Sequence, residues 1–234
     1  MKLFIGNKNY SSWSMRPWVL LKQSGIPFEE VKVLFDSFAP NSNFKQTMLK
    51  VNPRGQVPVL VDSNADGDLV VTDTLAIAEY LAESFPERQL WPADKVARAQ
   101  ARMACAEMHA GFTALRSNCM MNIEASLPHI GEIVMRDKPA VVADVARIEA
   151  LLGGLLGTYA QTHPDGMLFG AFSIADAYFA PVVMRFKTYS LPTSDGVAAY
   201  MDRLCAMPGV AAWIADARVE NEFRDFEEPY RLRQ

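Results

Sequence analysis

The sequence predicts a small α+β domain followed by an all-helical domain. Short strand-like and helix-like patterns alternate over the first 85 residues, a charged stretch with two prolines follows at 86–94, and only long helical patterns occur from 95 to 234. A chain of 234 residues is long enough for two small hydrophobic cores. We therefore expect domains at 1–85 and 95–234, joined by a linker at 86–94.

The composition is that of an ordinary globular protein. Half of the residues are hydrophobic, 21% are charged and the net charge is -4. A negative chain offers no electrostatic attraction for nucleic acid or an acidic membrane. No apolar run approaches the roughly 20 residues of a membrane span, and the amino terminus does not have the pattern of a signal peptide. We therefore expect a cytoplasmic protein that binds neither nucleic acid nor membrane.

The cysteines and histidines do not show the spacing of a disulfide framework or a metal site. Cys105, Cys119 and Cys205 are odd in number and widely spaced, which favours reduced thiols. The three histidines form no metal-ligand spacing with them. We expect no structural metal.

The first domain contains seven predicted elements in the order β-α-β-α-β-β-α. Its patterns predict strands at 2–6, 28–35, 56–62 and 68–72, and helices at 15–24, 43–50 and 73–85. Gly25 is placed to end the first helix. The turn-rich residues 63–67 between the last two strands predict a hairpin.

The second domain contains helical patterns alone. They run over about 95–118, 139–161, 173–189, 194–206 and 208–217. Ser173 and Asp176 have the Ser-x-x-Asp spacing of a capping box, which indicates a structural role at a helix start. Breaking this box is expected to cost about 0.5–2 kcal/mol of stability.

Residues 10–18, YSSWSMRPW, place three serines where the first helix begins. One of them, best Ser14, can serve as a helix N-cap, with Pro17 tolerated near the helix start. This leaves Ser11 and Ser12 unexplained. In a β-α-β unit this turn directs backbone amides and a positive helix end toward solvent, where they stabilise an anion. A dithiol oxidoreductase would carry Cys-x-x-Cys here, whereas serine hydroxyls can donate hydrogen bonds to the thiolate of another molecule.

Two further stretches are candidates for ligand contact beside this turn. Val57-Pro58 interrupts an apolar strand pattern. It is either an edge strand with a trans proline or a cis bond that offers the Val57 backbone to a peptide ligand. Thr72, Asp73 and Thr74 open the third helix, where they can cap the helix or hold the charged ends of an amino-acid-like ligand.

These motifs, in this order, resemble those of the soluble glutathione transferases over nearly the whole chain. The resemblance implies a thioredoxin-like first domain, an all-helical second domain, glutathione as the bound thiol and a homodimer. Within the family, SSWSMR is similar to the Ser-Ser-Cys-Ser-x-Arg turn of the zeta class, the maleylacetoacetate isomerases, which suggests a bacterial-type, zeta-like member. Trp13 replaces the cysteine of that class, residues 15–18 differ from its Arg-Val-Arg run, and Asp73 replaces its usual glutamate or glutamine.

The resemblance also implies roles for individual residues. Ser11 donates to the glutathione sulfur, with Ser12 or Ser14 assisting. Val57 pairs with the cysteinyl backbone across a cis peptide bond to Pro58. The full set of predicted glutathione-binding residues is Trp13, Arg16, Asn43, Val57, Pro58, Asp73 and Thr74, of which the last two would hold the γ-glutamyl group.

In the second domain, the resemblance places the middle of the helical stretch 105–123 beside the sulfur. The best candidates for contact with an electrophile are Thr113 and Arg116; Arg116 can bind an anionic substrate or pair with a glutamate. His109 is expected to be a surface or interface histidine. The predicted pocket consists of Met108, Phe112, Thr113, Arg116 and Met120, although the helical spacing of Met108 and Phe112 also fits core packing.

The sequence thus predicts a glutathione transferase that holds the glutathione thiolate at a serine-rich helix start for attack on a small electrophile. Two alternatives stay open: a glutathione-dependent cis-trans isomerase, in which glutathione is a cofactor, and a non-catalytic binding or regulatory protein with the same fold. A glutaredoxin-type oxidoreductase is disfavoured because Ser-x-x-Ser stands where its thiols would be.

Overall fold

The computed structural model describes residues 1–64 and 67–232 of the chain. Its first part contains a four-stranded sheet made of β1 (Lys2–Ile5), β2 (Glu29–Lys32), β3 (Val59–Asp62) and β4 (Leu69–Thr72). The strands lie in the order β2-β1-β3-β4. β1 pairs with β2 in parallel, and β3 pairs antiparallel with both β1 and β4.

The helices of this part are α1 (Ser12–Gln23), α2 (Asn43–Leu49) and α3 (Thr74–Ser84). The predicted order of seven elements is confirmed, and Gly25, with a φ of 65°, follows the last turn of α1 as expected. The predicted β3–β4 hairpin is also present, although Ala65 and Asp66 of its turn lie outside the described residues.

The start of α1 differs from the prediction. The helix begins at Ser12 rather than at residue 15, so Pro17 lies inside it. Ser11 occupies the N-cap position, and Ser14 is inside the first turn. The capping role predicted for Ser14 is therefore wrong, because the Ser14 hydroxyl accepts instead from the backbone N–H of Gly6 at the end of β1 (3.2 Å).

The second part is helical. Its helices are α4 (Lys95–Ala110), α5 (Thr113–Asn118), α6 (Pro128–Asp137), α7 (Pro139–Tyr159), α8 (Ile174–Tyr189), α9 (Asp195–Ala206) and α10 (Pro208–Arg218). Among the described residues, no helix combines the length and the apolar character that a membrane crossing requires.

Two features of this part were not predicted. The single helix expected over 95–118 is broken in two, because Phe112 adopts a left-handed conformation (φ 54°) directly after Gly111. Helix α6 was not predicted at all, since Pro128 and Gly131 interrupt its pattern. Pro128 is compatible with the helix because it occupies a first-turn position, where its missing N–H has no helical partner.

Helix α1 joins the two parts of the molecule. It packs against β1 and α3 on one side and against α8 and α10 on the other. The indole of Trp18 meets the edge of Trp213 on α10, with ring centroids 5.3 Å apart, and both side chains are buried. The amino end of α1 is therefore fixed by the sheet and the helical part together.

The capping box predicted from Ser173 and Asp176 is present at the start of α8. The Asp176 carboxylate accepts the backbone N–H of Ser173 (2.9 Å) and its hydroxyl (3.1 Å). It also accepts the N–H of Leu168 (3.1 Å) and the hydroxyl of Tyr200 (3.2 Å), and it is completely buried. Asp176 therefore ties three segments together, which is more than a cap alone requires.

Helix α6 approaches the end of α8 so closely that only glycine fits at position 131. A Cβ at Gly131 would overlap the carbonyl oxygen of Tyr189. We predict that Gly131→Ala lowers the free energy of unfolding by about 1–3 kcal/mol, because the backbone of one helix must shift. Urea denaturation measures this change.

Gly154 is the matched control, since a Cβ there would meet nothing within 4 Å. It lies exposed inside α7, so Gly154→Ala should raise stability by about 0.5–1 kcal/mol. A Gly131→Ala protein as stable as the wild type would contradict the close approach of α6 and α8.

Candidate active site

A cavity of about 780 Å³ lies between the two parts of the molecule, at the amino end of α1. Most of the predicted site residues line it. From the first part these are Ser11, Ser12, Trp13, Val57, Pro58, Asp73 and Thr74. From the helical part they are Thr113, Arg116 and Met120.

Five of the predicted site residues lie outside this cavity wall. Ser14, Met108 and Phe112 are buried in the interior, and Asn43 is exposed at the start of α2, where its N–H donates to Asp36 (2.8 Å). Arg16 is buried behind the wall and donates to the carbonyl oxygens of Tyr178 and Ser12. The structure thus places four of these residues in the interior and Asn43 on the surface.

The serine hydroxyls at the start of α1 already take part in hydrogen bonds within the protein. Ser12 Oγ accepts from Nη2 of Arg185 (3.3 Å). Ser11 Oγ donates to Ser14 Oγ (2.7 Å), and Ser14 also accepts from Gly6 N–H. The Ser12 hydroxyl donates to none of the described residues, so its one proton is available to an anion in the cavity. The Ser11 proton reaches the cavity only when this bond reverses and Ser14 donates to Ser11.

The cavity wall around these serines is positively charged. Arg185 is buried on α8, and its Nε has no hydrogen-bond partner among the described residues. Arg116 and Arg16 both lie against the ring of Trp13, with guanidinium carbons 4.7 and 4.2 Å from its centroid. Burial lowers the pKa of Arg185 to about 10 and that of Arg16 to about 9, so both remain cationic at neutral pH. Together with the helix end, these charges favour an anion in the cavity.

The segment before β3 offers backbone groups to the cavity. The Val57-Pro58 peptide bond is cis, which confirms that expectation, and both residues line the cavity. Within residues 1–64 and 67–232, neither the N–H nor the C=O of Val57 has a hydrogen-bond partner. A ligand with an extended backbone can pair with these two groups in the manner of an added strand.

Asp73 and His109 form a polar pair on the opposite wall. Asp73 has a φ of 78° and caps α3, where its Oδ1 accepts from Leu75 N–H (2.8 Å). Its Oδ2 lies 3.3 Å from Nε2 of His109. His109 Nδ1 is buried without a partner in the described part of the chain. His109 therefore lines the cavity, and an interface position for it stays a prediction.

The break between α4 and α5 shapes the helical side of the cavity. Arg116 donates to the carbonyl oxygens of His109 (3.4 Å) and Gly111 (3.2 Å), which are left free where α4 ends. Of the two alternatives left open for Arg116, an ion pair with a glutamate is absent from the described residues. Arg116 thus remains available to an anion in the cavity.

The carboxyl-terminal segment, residues 219–231, was missed as part of the site. Tyr10 OH donates to Glu228 (2.7 Å), and Asn122 and Arg231 donate to the same carboxylate. Glu220 accepts the backbone N–H groups of Lys8 (3.0 Å) and Asn9 (3.1 Å). This segment therefore holds residues 8–10, the loop that leads into the serine turn.

Arg185, Glu227 and Lys45 were also missed as cavity residues. Arg185 lies in α8 among apolar residues, and an arginine inside such a pattern was the one available sequence signal. Glu227 and Lys45 lie in charged surface-type stretches that carry no distinguishing pattern. In the described residues, no cluster of three or more His, Cys, Asp or Glu side chains could hold a metal ion.

Two domain models of known proteins match most of the chain. The glutathione S-transferase N-terminal domain matches residues 10–84 and the glutathione S-transferase C-terminal domain matches residues 98–216. The chain therefore belongs to the glutathione S-transferase family.

Named relatives agree with this assignment. Glutathione S-transferase 1 of Dianthus caryophyllus is 30% identical over 188 residues, 80% of this chain and 78% of that protein. A zeta-class glutathione S-transferase of Euphorbia esula is 31% identical over 64% of each chain. A probable maleylacetoacetate isomerase of Caenorhabditis elegans is 27% identical over 78% of this chain and 77% of its own. The predicted zeta-like resemblance is thus confirmed at modest identity.

The fold is also that of solved members of the family. A glutathione transferase homologue from Burkholderia, whose crystal structure contains bound glutathione, superposes with a TM-score of 0.65. The match covers 94% of this chain and 98% of that one at 23% identity. The predicted α+β, thioredoxin-like first part and all-helical second part are confirmed.

Proposed function

We propose that this protein is a glutathione transferase that holds the glutathione thiolate at the amino end of α1 and adds it to a small electrophile. The observation that carries the proposal is the pair of serine hydroxyls, Ser11 and Ser12, at a helix end that faces a large cavity. Ser12 Oγ accepts from Arg185 and donates to none of the described residues, which leaves its proton for an anion. Family membership supports glutathione as that anion's source.

The energy that this site must supply is modest. Lowering a thiol pKa from about 8.5 to about 6.5 requires about 2.7 kcal/mol, because each unit corresponds to about 1.36 kcal/mol. One hydrogen bond to a charged group contributes about 1.5–3 kcal/mol. A helix amino end adds about 0.3–1 kcal/mol. One serine and the end of α1 are therefore sufficient, and the cations nearby act in the same direction.

The groups beside the serines would bind the rest of the glutathione molecule. The N–H and C=O of Val57 would pair with the cysteinyl backbone of glutathione. The Asp73 carboxylate and the Thr74 hydroxyl would hold the ammonium and carboxylate of the γ-glutamyl end. Lys45 and Arg54, which line the cavity on the first part, are placed to attract the glycine carboxylate.

A second candidate function is glutathione-dependent isomerisation. Arg116 and Arg185 put two cations on the side of the cavity where the electrophile would lie, which favours an anionic substrate such as a dicarboxylic acid. The similarity to a probable maleylacetoacetate isomerase supports the same candidate. In that reaction the thiolate adds to a double bond, rotation follows and the thiolate leaves, so glutathione is a cofactor. A non-catalytic binding protein would hold glutathione without lowering its thiol pKa.

The protein is further proposed to be a cytoplasmic homodimer with the domain limits given by the sequence. Val96 and Met103 on α4 are 62% and 69% exposed, and this apolar surface is suited to contact with a second copy.

The proposal makes a prediction for Asp73. Asp73→Asn should raise the Kd for glutathione about 10–100-fold, because a charge-assisted bond of about 1.5–3 kcal/mol to the γ-glutamyl ammonium is lost. Asparagine is as good an N-cap as aspartate, so α3 should keep its start. Isothermal calorimetry measures the Kd.

The control for this experiment is a glutathione analogue that lacks the γ-glutamyl amino group. The wild type and Asp73→Asn should bind this analogue with nearly equal Kd, since neither can form the lost bond. Equal weakening of both ligands in the variant would show that Asp73 acts through the fold of the cavity and not on the ammonium.

A further inference from the structure

Glu227 is a carboxyl group on the cavity wall that has no role in the proposed binding of the thiolate. It ends a short turn, Asp225–Glu227, in the carboxyl-terminal segment. The segment fixes it in place on both sides. Phe226 packs against Phe38, with ring centroids 5.1 Å apart, and Glu228 is bound by Tyr10, Asn122 and Arg231.

The Glu227 carboxyl group has no bonding partner among the described residues. It has no hydrogen bond or ion pair to any residue within 1–64 and 67–232. The charged groups that act on it are Arg185 from α8 and Glu228 on its own segment, and Arg116 from α5 lines the same cavity. Burial raises the pKa of Glu227 to about 7, against the opposing charge of Arg185. A carboxyl that keeps its proton near neutral pH can act as a general acid.

We propose that Glu227 is a catalytic acid for the addition of glutathione to electrophiles that must be protonated when they react, α,β-unsaturated carbonyl compounds in particular. This inference rests on the proposed function, because it requires the glutathione thiolate in the same cavity. It names the substrate class for which this site is equipped.

The proposed reaction is an addition of the thiol across the carbon–carbon double bond. The thiolate sulfur forms a bond to the β-carbon, and the π electrons of the double bond move toward the carbonyl oxygen to form an enolate. The proton of Glu227 passes to the α-carbon, which gives the saturated thioether and leaves Glu227 as a carboxylate. Solvent then returns a proton to Glu227. Nothing is oxidised or reduced.

Other electrophiles of glutathione transferases do not need this proton. When the thiolate displaces chloride from chlorodinitrobenzene, chloride leaves with the bonding electron pair. The two kinds of substrate therefore separate the role of Glu227 from that of the thiolate site. A general acid contributes about 10²–10⁴-fold to the steps that require it.

The test compares kcat/KM for phenylbutenone, an enone, with kcat/KM for chlorodinitrobenzene in the same preparations. Glu227→Gln should lower the ratio of the two values by about 100-fold or more. Asp225→Asn, an exposed position in the same turn, is the matched control and should leave the ratio as it is in the wild type. In the wild type, kcat/KM for phenylbutenone should fall above about pH 7, because the proton of Glu227 is then lost. This fall should be absent in Glu227→Gln.

The outcomes distinguish the inference from the function on which it rests. If Glu227→Gln leaves the ratio unchanged, or lowers both values equally, Glu227 is not the acid. Conversion of chlorodinitrobenzene without conversion of phenylbutenone by the wild type also overturns the inference and leaves the proposed function standing. A wild type that conjugates neither substrate overturns both.

Discussion

Replacing both Ser11 and Ser12 with alanine should lower kcat/KM for chlorodinitrobenzene by about 10²–10³-fold, because the hydroxyl donors to the thiolate are removed. Each single variant, Ser11→Ala and Ser12→Ala, should show a part of this loss. Ser12→Ala should have the larger effect, since Ser11 donates its proton to Ser14, whereas Ser12 donates to none of the described residues. Steady-state kinetics at fixed glutathione concentration measure the change.

Ser24→Ala is the control for this prediction. Ser24 follows the last residue of α1, so the same helix loses a hydroxyl at the end far from the cavity. Its kcat/KM should stay within about twofold of the wild type, because Ser24 is not among the residues that line the cavity. Full activity in the double serine variant would mean that the backbone amides and the arginines hold the thiolate unaided.

Asp176→Ala should lower the free energy of unfolding by about 3–5 kcal/mol, because four donors lose one buried acceptor. This exceeds the loss expected from a capping box alone. Ser173→Ala removes only the hydroxyl of that box and should cost about 1 kcal/mol. Urea denaturation of the two variants gives both values, and equal losses would contradict the wider role of Asp176.

The free energy of unfolding of the wild type, compared with that of Asp176→Asn, should also depend on pH. Burial raises the pKa of Asp176 from 3.8 to about 6, so the folded protein holds this proton more tightly than the unfolded chain. The part of the stability that comes from this proton is therefore fully present below about pH 4 and is lost as the pH rises through about 6. Asp176→Asn, which cannot titrate, should gain on the wild type over that interval.

The elements that position the site could be predicted where local patterns decide them. Alternating apolar residues predict the strands. Asp73 predicts the start of α3 and Gly25 predicts the end of α1, and the structure agrees at both positions. The predicted start of α1 is three residues late because proline usually marks the first turn of a helix. The structure holds Pro17 inside the helix, where packing against the helical part outweighs one missing hydrogen bond.

The features that could not be predicted depend on contacts distant in sequence. The apolar spacing of α4 continues through Gly111 and Phe112, and one left-handed residue leaves no trace in that pattern. The role of Glu228 arises from Tyr10, which lies more than 200 positions away in the chain. Nor does the sequence reveal that Arg185 faces the serine turn, since a buried arginine on α8 becomes a cavity residue only when α1 packs against it.

The most direct test of the central claim is the pKa of the glutathione thiol when bound, followed by the ultraviolet absorbance of the thiolate as the pH is varied. The account predicts a bound thiol pKa about two units below the ordinary value of about 8.5. It also predicts a rise toward that ordinary value in the Ser11 and Ser12 double variant. Tight binding of glutathione by the wild type with an unshifted thiol pKa would contradict the claim that the serine turn holds a thiolate.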